Sequence, residues 1–359
     1  MRVLVFGAGA IGSLLGHRLA HAGHDVVLVG RPGYVHAVQE HGLILEDGKA
    51  PGRHIVHPSA VVNLSDLPPG QRQWDMILLT VKVYDTQEAA QELLPYASQD
   101  TPLLIVQNGV GGEELAQQVL REATIISGVL TISVSVLLPG YIRLETTQGG
   151  LNLAPVQGCI DMNKWAMLFS SAGLRTALYP SYQAMKWSKL LLNILGNAIP
   201  AILDMTPGTV FACPALFAIE RAAFLEARAV MGAMQLPVVS FPRYPVSLLA
   251  WAMQQVPAFL LRPLLMRLIA SGRGEKRPSL HLDLASGRRR SEVLYLNGAV
   301  VTHAQHLGLD APVNRVLCDL LVSIVAGQVP WEEFRGQPQK LVKKIQDEAP
   351  GSLALYKEE

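Results

Sequence analysis

Lys189, Asn193 and Asn197 recur at intervals of four in residues 185–200 (MKWSKLLLNILGNAIP), so a continuous helix places all three on one face. Leu191, Leu192 and Leu195 take the opposite arc as core. One cation and two amides in a line can bind a carboxylate and a carbonyl. A merely solvated face would more readily use Glu, Lys or Gln, because asparagine is a poor helix former. A second signature opens the chain. Gly7, Gly9 and Gly12 form G-x-G-x-x-G within Gly7-Ala8-Gly9-Ala10-Ile11-Gly12. The first glycine allows a tight turn, the second lets backbone approach a pyrophosphate, and the third lets the next helix pack close to the strand. Glu292 is a single acid after Arg288, Arg289 and Arg290. By itself it reads as a helix first-turn carboxylate or as an ion-pair partner of those arginines ahead of a catalytic acid.

These residues need elements to hold them. Residues 3–6 are a β-branched run suited to a buried parallel strand. Residues 10–22 follow with helical periodicity through Ile11, Leu14, Leu15 and Leu19, and Gly23 stops the helix. Asp25–Val29 is the second strand. Strand, glycine turn, helix and strand in that order are the context that gives a glycine motif meaning for a dinucleotide. Where an NAD enzyme carries Asp or Glu for the ribose hydroxyl, the chain has Gly30 and Arg31. A guanidinium there suits a 2′-phosphate and predicts NADP(H), with a solvated surface arginine as the alternative.

Residues 76–81 (MILLTV) and 103–106 (LLIV) are further strand-like runs, with a helical stretch between them at 85–96. Lys82 follows the first run, and Gln107, Asn108 and Gly109 follow the second. Ligands of open parallel sheets bind beyond the carboxyl ends of strands, which makes Lys82 and Asn108 site candidates. For Lys82, a solvated lysine ending a strand stays open. Residues 125–136 and 141–145 predict a β-hairpin around Pro139-Gly140. From about Tyr182 the patterns are long, apolar and helical, and Ser291-Glu292 leads into a helix through Val293, Leu296, Val300 and Val301 that ends at Gly308.

The length of 359 residues suggests two domains, and an apolar half with 16% charged residues can bury a large core. Thirty basic against 29 acidic residues leave a net charge of +1, with no electrostatic footprint for nucleic acid. Cys159, Cys213 and Cys318 are scattered without CxxC spacing. They build neither a disulfide framework nor a structural zinc site, and suit a reducing cytoplasm. No clustered His, Cys and Asp set predicts a metal. The opening run reads as strand and turn rather than as a signal peptide, for it has ordered glycines and no plausible cleavage site. Residues 245–270 are apolar, but Gln254, Gln255, Pro257, Arg262, Pro263 and Arg267 interrupt them, so no transmembrane segment is expected.

With these segments in hand the chain resembles the ketopantoate reductase (2-dehydropantoate 2-reductase) family over about residues 1–325. The landmarks are GAGAIGS at 7–13, Arg31, TVK at 80–82, QNGVG at 107–111, WSKLLLNILGN at 187–197, PSLHLD at 278–283 and SEVLYLNG at 291–298. The resemblance implies a Rossmann-type doubly wound α/β domain at 1–175, with an all-helical substrate and dimerisation domain at 176–330, as in 6-phosphogluconate-dehydrogenase-like proteins. A polar C-terminal tail at 331–359 follows, and Gln337–Glu359 lies beyond the family's usual end and is expected to be peripheral. It implies reduction of a 2-oxo acid by NADPH: 2-dehydropantoate to (R)-pantoate, in pantothenate and coenzyme A biosynthesis, by a homodimer. By resemblance Lys189 is the general acid, and Glu292 the glutamate that engages substrate hydroxyl and helps hold the lysine. Asn193, Asn197 and Ser279 are substrate-binding, Asn108 lies near nicotinamide and substrate, Lys82 lies beside the cofactor, and Arg31 selects NADP.

Against that pattern stands an apolar insert at 238–276, about 30 residues by eye, ending in SGRGEKRP. It reads as a helical hairpin extending the core or a dimer contact, ahead of a lid over the substrate cleft and an interfacial membrane helix. It also opens a second function, reduction of a different 2-oxo acid in a reshaped pocket. A third, an NADP(H)-binding regulator without turnover, predicts loss of Lys189 or its amide partners.

Overall fold

The computed structural model describes residues 1–48, 52–146, 148–158, 161–272 and 277–352, with backbone alone at 268–272. Cys159, residues 273–276 of the SGRGEKRP stretch and the last residues of the tail, 353–359, lie outside the described residues. Two compact units result: Met1–Gln107, Gly111–Met185 and Phe241–Tyr244 form the first, and Asn108–Val110, Lys186–Ser240 and Pro245–Glu359 the second.

The first unit opens with β1 (Arg2–Phe6), α1 (Ala10–His21) and β2 (Asp25–Val29). α2 (Pro32–His41), β3 (Leu43–Asp47), β4 (Arg53–Val56) and β5 (Ser59–Val61) follow. Next come β6 (Met76–Leu79), α3 (Thr86–Leu93), β7 (Leu103–Val106), α4 (Gly112–Val119) and β8 (Ile125–Leu130). β9 (Val134–Leu138), β10 (Tyr141–Leu144), β11 (Leu151–Gln157), α5 (Met162–Ser171) and β12 (Thr176–Leu178) complete it.

Eight strands make one sheet in the order β12-β11-β8-β7-β6-β1-β2-β5. From β8 to β5 all neighbours are parallel, in the doubly wound order whose direction of winding reverses between β1 and β6. Both faces are covered, and alternate residues of one strand serve opposite cores. Val3 and Val5 pack with Leu14, Leu15 and Leu28, whereas Leu4 and Phe6 pack with Ile77, Leu79 and Leu93.

The expected hairpin around Pro139-Gly140 exists as β9 and β10, but its first arm divides. Residues 125–130 are buried throughout and run inside the large sheet as β8. Only the partly exposed Val134–Leu138 turns into β10, in a separate four-stranded sheet ordered β4-β3-β10-β9.

α6 (Tyr182–Ile194) carries the chain into the second unit, and α7 (Ala198–Leu203), α8 (Pro207–Ala212) and α9 (Pro214–Ala233) follow. The insert forms α10 (Val246–Gln255) and α11 (Ala258–Gly272). Then come α12 (Ser279–Ala285), a 3-10 turn at Glu292–Tyr295, α13 (Asn297–His306), α14 (Pro312–Val325) and α15 (Pro338–Glu348). Twenty-residue α9 is the hub against which α10, α13, α14 and α15 pack.

Three expectations change here. The line of Lys189, Asn193 and Asn197 is broken, because the helix stops at Ile194. Pro200 has no N–H for the carbonyl of Gly196, and its ring would strike that carbonyl in a continuous helix. Gly196 adopts φ 62° instead, and its N–H goes to Glu220 Oε2 at 2.9 Å. The helix expected from Ser291 is also split, since the Tyr295 carbonyl accepts from Val110 N at 3.0 Å rather than from the next turn. Finally, α15 within the polar tail is no periphery: Leu341 and Ile345, one turn apart, are buried against α9 and α14.

Candidate active site

In the first unit the glycine loop leaves β1 at the point where the sheet's winding reverses. Thr80, just past β6, donates its Oγ1 proton to the Gly7 carbonyl at 2.7 Å and its N–H to Phe6 O at 2.9 Å. A Cβ on Gly7 would lie 2.6 Å from Val81 N, and one on Gly12 would lie 2.3 Å from Gly7 O. The protein's own packing therefore demands both glycines. A Cβ on Gly9 meets nothing within 4 Å. The space over Gly9 stands at the N-terminus of α1, where among the described residues no side chain caps the free N–H groups and no acid occupies the first turn. A diphosphate fits that cradle, with backbone N–H groups of Ala10 and Ile11 as donors.

Sequence reasoning missed the braces of this loop. Tyr34 OH lies 2.9 Å from Ser13 Oγ, joining α1 to α2, and burial pushes the tyrosine pKa up to about 12 against the opposing hydrogen bond. Arg31 stands exposed at the cap of α2, just beyond β2, where an adenosine ribose or its phosphate would lie. Gln107, buried at the end of β7, donates to Val81 O at 2.9 Å and exchanges hydrogen bonds with Thr86 Oγ1. It fixes the turn that presents the half-buried Lys82. Only its polarity at a strand end hinted at that role.

The second unit gathers the other candidates. Lys189 and Asn193 lie one turn apart on α6, both half-buried. Asn193 Nδ2 is a buried donor with no hydrogen-bond partner among the described residues. A carbonyl or carboxylate of a ligand would complete it. Asn197, displaced from that helix, is the cap residue of α7, and its Oδ1 accepts from Leu280 N at 3.3 Å. That bond brings Asn197 beside Ser279, the exposed first residue of α12. Glu292 is 3% exposed and opens the 3-10 turn, whose Ser291 cap accepts from Val293 N. The segment Asn108–Val110 docks on the same turn through Tyr295 O, to which a Cβ on Gly109 would approach within 2.6 Å. Asn108 is thus held beside the turn of Glu292. Arg288 pairs with Asp283 at 2.9 Å, which gives that arginine a partner other than Glu292.

Asp204 anchors the approach to α12. It receives Arg277, His281 at 2.7 Å and Arg335 at 2.7 Å. Burial alone would raise its carboxyl pKa, but hydrogen bonds from His281 and Arg335 and the charge of Arg277 hold it down at about 2. A depressed carboxylate contributes stability that is full above its unfolded value near 4 and lost as pH falls through the folded value. Asp204→Asn is therefore expected to lower stability by about 1–3 kcal/mol at neutral pH. The difference from the parent should begin to narrow below about pH 4 and close only below about pH 2, as urea titrations at a series of pH values will report.

A doubly wound sheet with an open phosphate cradle, followed by helices that supply a lysine, a buried carboxylate and amides, defines a dinucleotide-dependent oxidoreductase. Residues 3–158 match the ketopantoate reductase PanE/ApbA family, and residues 181–324 match its C-terminal part. The 2-dehydropantoate 2-reductase of Halobacterium salinarum is 30% identical over 331 residues, 89% of this chain and 98% of its own. That of Archaeoglobus fulgidus is 28% identical over 329 residues, 91% and 98% of the two chains. The crystal structure of a PanE/ApbA family ketopantoate reductase from Ralstonia eutropha superposes with a TM-score of 0.76 at 30% identity, covering 91% of this chain and 99% of that one. D-mandelate dehydrogenase with NADH and anilino(oxo)acetate has the same fold, with a TM-score of 0.76 at 22% identity over 91% and 99%.

The chain belongs to the ketopantoate reductase family. It is an oxidoreductase that works with a nicotinamide cofactor. Among the described residues no helix is long and apolar enough to cross a membrane, and no three His, Cys, Asp or Glu side chains are grouped to hold a metal ion.

Proposed function

We propose that the chain reduces 2-dehydropantoate to (R)-pantoate with NADPH, as a cytoplasmic enzyme of pantothenate and coenzyme A biosynthesis. NADPH when bound supplies the hydride, which goes to the carbonyl carbon. Lys189 gives its Nζ proton to the carbonyl oxygen and offsets the negative charge that grows there. Glu292 accepts from the substrate hydroxyl and helps to hold the lysine. Asn193, Asn197, Asn108 and Ser279 orient the carboxylate and carbonyl. Residues 1–175 serve the cofactor, residues 176–330 the substrate and a homodimer contact.

The observation that carries this reading is the donor of Asn193, buried and open to an acceptor one helical turn beyond Lys189. It suits a small oxo acid and is idle in a regulator without substrate. The 30% identity to a 2-dehydropantoate 2-reductase supports the choice of acid. A second reading, another 2-oxo acid, draws on the insert, whose helices precede α12 and Ser279 in the sequence.

Absorbance assays of NADPH oxidation with ketopantoate, 2-oxoisovalerate, 2-oxopantolactone and pyruvate decide between them. Efficient turnover on ketopantoate alone is expected. Weak turnover on ketopantoate beside fast turnover on another acid transfers the assignment to the second reading.

Arg31 is assigned to the 2′-phosphate of NADPH. Loss of one or two charge-assisted hydrogen bonds is worth about 1.5–3 kcal/mol. Arg31→Ala should therefore raise the KM for NADPH roughly 10–100-fold and leave that for NADH near its parent value. An unchanged ratio of the two would remove Arg31 from the cofactor site.

A further inference from the structure

The insert turns an apolar face outward. In α10, Val246, Ala250 and Met253 are buried, and in α11 Leu261 and Leu265 are. These residues pack on α8 and α9. The opposite faces carry Leu248 (61% exposed), Trp251 (57%), Phe259 (59%), Leu260 (58%) and Leu264 (56%). So many large apolar side chains on two consecutive helices are more than scattered surface leucines, and such a patch marks a contact surface.

Charge identifies what the surface meets. Between Glu226 and Glu275 the chain has no Asp or Glu, yet it has Arg228, Arg243, Arg262, Arg267 and Arg273. Arg267 is exposed on α11, three residues beyond Leu264 and so on the same face. Arg262 lies along α8, its Nη1 donating to Ala212 O at 2.6 Å. A second copy docked by two-fold symmetry would set this face against itself, adding a second Arg267 to the interface with no carboxylate within the segment to neutralise either. A bilayer with anionic headgroups answers both features, accepting the apolar side chains and pairing the Arg267 guanidinium. Trp251 has the amphipathic ring that settles at a membrane–water boundary. Helices of 10 and 15 residues are too short to span and would lie in the interface plane.

We infer that the outward faces of α10 and α11 dock on an anionic lipid surface, through Leu248, Trp251, Phe259, Leu260, Leu264 and Arg267. The inference goes beyond the reductase reading and does not depend on it.

The full chain should float with vesicles of phosphatidylglycerol and phosphatidylcholine at low ionic strength, and stay behind with phosphatidylcholine alone. Bromine-labelled acyl chains should quench tryptophan fluorescence, and Trp251→Phe should abolish most of that quenching, since Trp74, Trp165 and Trp187 are buried and the half-buried Trp331 is held on α7 through Ala201 O and Ile202 O. The double variant Leu260→Gln/Leu264→Gln should bind roughly tenfold more weakly, with native circular dichroism and unchanged turnover in solution. Arg267→Gln should lower binding to anionic vesicles roughly fivefold. Failure to bind either vesicle overturns the inference, as does undiminished binding by the double variant. So does sedimentation equilibrium in which the double variant turns a dimer into monomers, which would give the face to a second copy.

Discussion

Lys189→Ala is expected to lower kcat by about 10²–10⁴-fold while the dissociation constant for NADPH stays within about twofold. Lys189 lies on α6 in the second unit, whereas the glycine loop and Arg31 belong to the first. A general acid acts on charge that develops only as hydride arrives, so its loss falls on turnover rather than on binding of the cofactor. Lys189→Arg separates the two contributions of the ammonium group. Arginine keeps a positive charge but holds its proton far above neutral pH, so it can steady an alkoxide and cannot deliver the proton. Turnover of the arginine variant should remain low, and any recovery over alanine measures the electrostatic share. Stopped-flow binding of NADPH beside steady-state kinetics reads both quantities. Equal loss of affinity and turnover would show that the substitution had disturbed the protein at large and would remove the acid role.

The first unit was legible because its signals are local. A β-branched run, glycines at fixed offsets and a helix ending at Gly23 each act over a few residues, and β1, α1 and β2 form as they predict. What stayed hidden there depends on partners distant in sequence. Tyr34 braces Ser13 across 21 positions and Gln107 reaches Val81 across 26, and no periodicity announces either bond. In the second unit the spacing of Lys189, Asn193 and Asn197 looked like a helical face, but periodicity was the weaker signal. Gly196 and Pro200 in the same stretch already forbade a continuous helix. The break takes Asn197 off the helix of Asn193 and makes it a bracket for α12, whose first residue is Ser279, by a route that the periodic pattern had not offered. Buried Glu220, which takes the freed N–H of Gly196, had no local signature at all.

The glycine loop gives the prediction that separates structure from binding most cleanly. Gly12→Ala would force a Cβ to within 2.3 Å of the Gly7 carbonyl and 2.6 Å of Thr80 Oγ1. The carbonyl is backbone, fixed between β1 and β6, and cannot give way cheaply, so overpacking should destabilise the protein by about 1–3 kcal/mol and lower its melting temperature. Gly9→Ala behaves oppositely. Gly9 has φ −82° and ψ −159°, a conformation open to alanine, and its Cβ would enter empty space. Removing a glycine also reduces the entropy of the unfolded chain, so stability should hold or rise by up to about 1 kcal/mol. The same methyl stands where backbone must approach a diphosphate, and the contact it forces apart is made by charge-assisted hydrogen bonds. A loss of about 1.5–3 kcal/mol there is roughly a 10–100-fold weaker NADPH affinity. Calorimetry without and with NADPH tests both variants together. Gly9→Ala should melt like the parent when alone and gain much less on adding cofactor, because a ligand that binds only the folded state stabilises in proportion to its affinity. Parent-like stabilisation of Gly9→Ala by NADPH would move the diphosphate away from Gly9, and with it the functional meaning of the second glycine.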